Sequence, residues 1–243
     1  MYINTMELLK FIIPTALVFE KRKQIIGKAY SFTFRSTKPL AWLAGQHGML
    51  EIKLPDGKTS RRMFSLSSAP QEKRITVTTY WHGDTASNYK KALWNLQPGD
   101  KAKIRGPVGP MHIREVAANN ILIAGGIGIT PFRSILKEVE LSGQDLHATL
   151  LYANRNPGEV IFKTELDDLS KKLKNLKVQY VYSPAKISEE IIKNCIGNDK
   201  IENVNFYLSG PPTMIKAYKI LLKDIRVPRS NIYSDPFMGY KEL

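Results

Sequence analysis

Cysteine is nearly absent. Cys195 is the one cysteine in 243 residues, so no internal disulfide can form, and without a CxxC pair there is no cysteine-held zinc or iron-sulfur site. A reducing, cytoplasmic setting is the natural expectation. Histidine is sparse as well: His47, His82, His112 and His147 are scattered singly, as surface and turn residues are, and suggest neither a catalytic triad nor a metal cluster. Long apolar runs are missing. The stretch 8–19 is broken by Lys10 and Pro14, lacks a flanking basic run or cleavage site, and is too short to cross a bilayer. It reads as a short helix followed by the first strand, and no transmembrane segment is expected. Any redox chemistry therefore has to come from a bound organic cofactor.

The chain is long for one core and suits two domains of ordinary size. With 43% hydrophobic and 24% charged residues it has a globular composition. Its net charge of +14 could favour an acidic protein, an anionic membrane surface or nucleic acid. Lys171, Lys172, Lys174 and Lys177 fall around a helix and read as a solvated face. No nucleic-acid reading motif accompanies the charge, so nucleic acid is not expected as a partner.

The pattern of elements changes along the chain. Between residues 30 and 103, short β-branched and aromatic runs such as 30–34 and 75–80 alternate with Pro, Gly and Asp turns, as in an antiparallel β-barrel. Beyond 106–109, strands at 120–124, 148–153, 178–182 and 204–209 alternate with helices at 131–141, 160–176, 188–195 and 212–223. That alternation predicts a doubly wound parallel sheet covered on both faces. The boundary falls near residue 115, giving an N-terminal antiparallel β-barrel domain at 1–115 and an α/β domain at 116–243.

The strongest local signal is Ile121-Leu-Ile-Ala-Gly125-Gly126-Ile127-Gly128-Ile129-Thr130-Pro131. An apolar strand runs into glycines and then a helix, as a dinucleotide pyrophosphate requires: glycines admit the backbone, and the helix start offers free N–H groups and a positive dipole end. Thr130 fits an N-cap and Pro131 the first helical position. The spacing is not GxGxxG, and a tight strand-to-helix connection would account for the same residues. A second turn, Ser209-Gly210-Pro211-Pro212, also ends a strand and opens a helix, so both can face one crevice at the carboxyl ends of a parallel sheet. A plain helix start is the alternative.

In the first half the informative segment is Arg61-Arg62-Met63-Phe64-Ser65-Leu66-Ser67-Ser68. A guanidinium suits a diphosphate, an aromatic ring suits an isoalloxazine face, and a hydroxyl suits its N5. Downstream, Gly83-Asp84-Thr85-Ala86-Ser87-Asn88 leads into a helix at 89–96, a second anion-binding start.

Taken together with Gly45-Gln46, Gly106-Pro-Val-Gly109 and the tail Asp235-Pro-Phe237-Met-Gly239-Tyr240, these motifs resemble the ferredoxin-NADP reductase superfamily over nearly the whole chain. The resemblance implies FAD in the barrel, NADP or NAD in the α/β domain, and hydride transfer between them. It implies that Arg62 holds the FAD phosphate, that Phe64 and Ser65 contact the ring, and that Thr85, Ala86 and Ser87 cap the pyrophosphate; Met63, Thr79 and Gly83 complete the flavin set. Gly126, Gly128, Thr130 and Pro131 would receive NAD(P), with Gly210 and Pro211 positioning the nicotinamide. Ser65, Ser209 and Phe237 are the residues placed at the hydride path, with Tyr240 the alternative to Phe237. Three positions depart from the family pattern: Phe64 stands for Tyr, Ser209 for a frequent Cys, and Gly83 is one residue further from Ser87 than usual.

Hydride transfer between two rings needs alignment more than a side-chain acid or nucleophile, which agrees with the absence of a triad. The expected electron acceptor is an acidic carrier such as a ferredoxin, a flavodoxin or a haem protein. Arg155 and Ser183, with Lys186, close the second and third strands of the α/β domain, and no acidic residue stands there to repel a 2′-phosphate. That favours NADPH over NADH; solvated charges are the alternative reading. Two other roles remain open for the chain: an electron-transfer component of a larger complex, and a non-catalytic binding module.

Overall fold

A computed structural model describes residues 12–237. The start of the expected N-terminal helix and the tail from Met238 onward, Tyr240 included, lie outside the described residues.

The alternating runs of the first half form β1 (Thr15–Ile26), β2 (Ala29–Ser36), β3 (His47–Lys53), β4 (Thr59–Ser65), β5 (Ile75–Tyr80) and β6 (Lys101–Val108). All pair antiparallel, in the order β4-β3-β6-β1-β2-β5. One bridge, from Leu66 just past β4 to Val77 within β5, links the two outer strands of the curled sheet. Its interior is filled by Leu17, Phe19, Phe32, Phe34, Leu50 and Ile104, the inward half of each alternation. Helix α1 (Asn88–Asn95) buries Tyr89, Ala92 and Leu93 in the same core.

The second half forms β7 (Asn119–Gly125), α2 (Ile129–Ser142), β8 (Ala148–Asn154), α3 (Lys163–Lys172), β9 (Leu176–Tyr182), α4 (Glu189–Ile196), β10 (Val204–Gly210), α5 (Pro212–Asp224) and β11 (Ile232–Pro236). These strands are parallel, in the order β11-β10-β7-β8-β9. Residues of β7 point alternately to two cores: Leu122 and Ala124 with α2 and α3, Ile121 and Ile123 with α4 and α5. Burial on both faces is why these strands read as continuous apolar runs. The chain leaves β7 for β8 on one side and reaches β10 on the other. The carboxyl ends of β7 and β10 therefore border the switch-point crevice of such sheets.

Two helix boundaries differ from expectation. Helix α2 begins at Ile129 with Gly128 at its N-cap, so Thr130 is inside the helix and its hydroxyl donates to the Ile127 carbonyl at 3.2 Å. The 3-10 turn Gly126–Gly128 runs straight into the helix, and Pro131 is tolerated because first-turn N–H groups have no helical acceptor. Helix α3 is shorter than 160–176: Phe162 adopts a left-handed φ of 62° and Leu173 is extended, while Val160 and Ile161 pack under the sheet edge.

The lobes are joined by α2. The Arg133 guanidinium bonds to Glu72 of the barrel lobe and to Glu165 at 2.7 Å, and donates to the Ser67 carbonyl at 2.9 Å. Ser134 Oγ donates to the Ser68 carbonyl at 2.7 Å and accepts from the Gly45 amide at 3.2 Å.

Candidate functional site

The two glycine turns of the α/β lobe lie against each other. A Cβ on Gly128 would come 2.2 Å from the Ser209 carbonyl oxygen, so only glycine lets the turns pack this closely. Gly126 has φ +51°, and nothing but the Tyr80 hydroxyl, at 3.5 Å, would meet a Cβ there. Ser209 is fully buried, and its hydroxyl makes no hydrogen bond among the described residues. A buried hydroxyl without a partner is costly, which marks this spot as one prepared for a further polar group. The Gly210 carbonyl accepts from the Phe237 amide at 3.0 Å, placing Phe237 beside the second turn.

In the barrel lobe, β4 is the outermost strand of the sheet order, so beyond the Leu66 bridge its outer backbone edge has no neighbouring strand. Arg62 donates to the Arg61 carbonyl at 2.7 Å and lies 5.5 Å from the Tyr89 ring centre. Phe64 is half-buried, its ring centre 6.0 Å from that of Tyr89. Met63 is exposed. Ser87 caps α1, accepting from the Lys90 amide at 3.3 Å, while Thr85 donates to the His82 carbonyl at 2.8 Å and shapes the Gly83–Thr85 turn. Ala86 is buried just ahead of the cap. Thr79 is buried on β5, while the next residue, Tyr80, points its hydroxyl at Gly126.

Helix starts divide into two groups. Helices α3 and α4 carry Glu165, and Glu189 with Glu190, in their first turns, as the positive dipole end favours. Helices α1, α2 and α5 have no acidic residue there, and these are the three that follow the turns at 83–87, 126–128 and 209–211. These three helix starts carry no acidic residue that would oppose a negative charge brought from outside.

The lobes meet where these features converge. Ser65 Oγ donates to Asp235 Oδ2 at 2.6 Å, tying the end of β4 to the end of β11. His47 Nδ1 lies 3.8 Å from Asp235 Oδ1. Burial pushes the Asp235 carboxyl above the ordinary aspartate range, against the opposing pull of the Ser65 hydrogen bond and of His47. Tyr80 and Tyr89 were not singled out from the sequence, Asp235 was noted only as part of the tail motif, and His47, read as a surface or turn residue, lies half-buried at the start of β3. Ser65 and Asp235 are 170 residues apart, and no local spacing links them. Arg155 follows β8, and Ser183 follows β9 with its amide bonded to the Asn154 carbonyl at 3.1 Å, so both stand at the carboxyl ends of their strands. Among the described residues there is no cluster of His, Cys, Asp and Glu able to hold a metal, and no helix long and apolar enough to cross a membrane.

Comparison with known proteins agrees with this arrangement. Residues 122–219 match the family model of the oxidoreductase NAD-binding domain. The chain is 27% identical over 199 residues to a subunit of the Na(+)-translocating NADH-quinone reductase of Neisseria meningitidis, covering 73% of this chain and 49% of that protein. It is 29% identical over 220 residues to NADH-cytochrome b5 reductase 1 of Coccidioides immitis, covering 82% and 70% respectively. The chain thus spans about half the length of its quinone reductase relative. Among solved structures, ferredoxin-NADP+ reductase from Plasmodium falciparum superposes with a TM-score of 0.76 at 18% identity, covering 93% of this chain and 97% of that one. The chain thus shares the two-domain fold of that reductase, and its α/β lobe matches the oxidoreductase NAD-binding domain over residues 122–219.

Proposed function

We propose that this chain is an NAD(P)H-dependent flavin oxidoreductase that holds FAD on the barrel lobe and NAD(P) on the α/β lobe. The observation that carries the reading is convergence: the Ser65 to Asp235 hydrogen bond of 2.6 Å brings the end of β4 to the same crevice as the two glycine turns. The residues present fit both groups. Three helix starts bare of acid suit phosphates, the outer edge of β4 suits a planar ring with hydrogen-bonding edges, and the orphaned Ser209 hydroxyl suits a carboxamide.

When bound, the nicotinamide supplies a hydride and the flavin supplies the centre that accepts it and releases electrons singly. The chain's own residues provide the setting. Arg62 and the start of α1 take the flavin diphosphate, and Phe64 backs the ring. Gly126, Gly128, Thr130 and Pro131 leave the start of α2 open to the dinucleotide phosphates. Ser65 Oγ donates to Asp235 Oδ2 in a buried position, and the carboxyl, its proton affinity raised by burial, would hold or release a proton at the crevice. Phe237 and Gly210 close the crevice against water. Arg155 and Ser183, with Lys186, present no carboxylate to a 2′-phosphate, which supports NADPH.

The relatives support electron carriers as acceptors: one is named for cytochrome b5 and one structure for ferredoxin. A basic chain suits an acidic carrier of the ferredoxin, flavodoxin or haem-protein kind. A second reading, an electron-transfer component of a larger assembly, is favoured by the match to one subunit of the quinone reductase. The test is anaerobic titration of FAD-loaded protein with NADH and with NADPH in parallel. Bleaching of the flavin absorbance by either supports the reading, with the larger rate expected for NADPH. A protein that takes up no flavin, or whose flavin neither nucleotide reduces, would return the chain to the binding-module reading.

A further inference from the structure

Strands β1, β2 and β5 lie side by side. Their register sets Lys21 opposite Thr33 and Thr33 opposite Thr76, then Lys23 opposite Ser31 and Ser31 opposite Thr78. Residues paired across strands share a face. The alternate residues Phe32, Phe34 and Val77 fill the barrel core, so the outer face here is built of lysines and hydroxyls. It forms one wall of a cavity of about 490 Å³ between the lobes, faced by Arg133 of α2 and by Phe162, Lys163 and Glu165 at the start of α3. None of the lining residues belongs to the flavin or dinucleotide sets proposed above.

The charges of this cavity do not cancel. Every N–H of the Arg133 guanidinium is used, on Glu72, Glu165 and the Ser67 carbonyl, and both carboxylates are thereby engaged. Lys163 pairs with Asp167 at 2.6 Å. Lys21 and Lys23 remain: both are exposed, and neither has an ion-pair partner among the described residues. Ammonium groups side by side on one face of a strand repel each other, and an anion between them offsets that repulsion.

The hydroxyls run in one direction. Ser67 Oγ donates to the Thr76 carbonyl at 3.1 Å, so the 2.9 Å bond between Ser67 and Thr78 is donated by Thr78, and the 2.8 Å bond between Thr78 and Ser31 by Ser31. Ser31, buried at the cavity wall, is left with lone pairs to offer. Between Thr33 and Thr76, 3.3 Å apart, one hydroxyl donates to the other, and the second keeps its proton for a ligand. On the facing wall Phe162 is half-buried with a left-handed φ of 62°, a conformation costly for an aromatic residue.

We propose that this interlobe cavity binds a phosphorylated sugar. The phosphate lies between Lys21 and Lys23, a sugar hydroxyl donates to Ser31 Oγ, and a sugar oxygen accepts from the Thr33 and Thr76 pair. The volume admits a pentose phosphate or a mononucleotide, whose base would lie against Phe162. The inference stands apart from the flavin reading, because the two sites share no residue.

The experiment is calorimetric titration of the full chain with ribose 5-phosphate, AMP, inorganic phosphate and ribose, with and without NADP+. The proteins are the wild type, Lys21→Met with Lys23→Met, Lys21→Arg with Lys23→Arg, and Ser31→Ala, each checked for folding by thermal unfolding. The wild type should bind ribose 5-phosphate with a Kd below about 1 mM, and about tenfold more tightly than it binds inorganic phosphate or ribose. NADP+ should not displace it. AMP binding more tightly than ribose 5-phosphate would identify a mononucleotide, and weaker binding a free sugar phosphate. The double methionine variant should bind about 30-fold more weakly, while the double arginine variant keeps the affinity. Ser31→Ala should weaken ribose 5-phosphate about tenfold and leave inorganic phosphate unchanged. Absence of binding by the folded wild type would overturn the proposal, as would a folded double methionine variant as tight as the wild type. Displacement by NADP+ would overturn it by placing the ligand in the dinucleotide crevice, and inorganic phosphate binding as tightly as ribose 5-phosphate would overturn it by marking an adventitious ion only.

Discussion

The two lobes differ most in how their charge is balanced. Residues 12–115 hold 18 Lys and Arg against 7 Asp and Glu, whereas residues 116–237 hold 16 against 13. In the α/β lobe lysines pair with nearby carboxylates, Lys163 with Asp167, Lys193 with Glu189, and both Lys137 and Lys172 with Glu140. In the barrel lobe carboxylates are shared: Glu51 serves Arg61 and Arg105, and Glu20 serves Arg35 and Arg74. Lys171, Lys172, Lys174 and Lys177 are exposed, as the solvated face expected of them, and Lys171 and Lys172 are also ion-paired. The unbalanced charge sits in the lobe proposed to hold the flavin, where it can attract phosphates and steer an acidic carrier.

The division of labour can be broken lobe by lobe. Gly126→Val puts a β-branched residue at φ +51° in the turn that opens α2. It should weaken the response to NAD(P)H on the order of 100-fold while the protein stays yellow, measured by stopped-flow bleaching of bound flavin. Loss of flavin as well would mean that the lobes do not bind independently. Arg62→Ala should do the reverse, weakening FAD about 10- to 30-fold with nicotinamide dinucleotide binding to the apoprotein unchanged, by fluorescence and calorimetry. Arg133→Met tests the joint. It strands Glu72 and Glu165, both partly exposed, and should cost about 1–2 kcal/mol of stability in denaturant titration; an unchanged midpoint would show that the tie contributes little. The smallest effect is expected from Asp235→Asn. The folded-state pKa of Asp235 is raised, so its protonated form favours folding, and that contribution is lost as pH rises through the folded value. The variant should gain stability relative to the wild type as pH is raised toward neutrality. A difference independent of pH would show that the carboxyl does not titrate abnormally.

Much of the architecture was legible because the two halves use different periods. The strand runs at 30–34 and 75–80 became β2 and β5, and the four later strands became β7 to β10 within a residue or two. The start of α2 was not, since Gly126 to Gly128 reads as loop although its 3-10 turn continues into the helix. Nor was the end of α3, where apolar residues keep helical spacing into a strand. The glycine turns and the β4 segment were readable as local chemistry. The Ser65, Asp235 and His47 group was not, because tertiary folding alone assembles it.

The free edge of β4 has a consequence beyond chemistry. A bare strand edge is a template on which another chain can pair, so the proposed nucleotide would also act as a shield for it. Cells or expression cultures short of flavin should then yield aggregated protein, and supplementing riboflavin should raise the soluble fraction before any catalytic difference is measured.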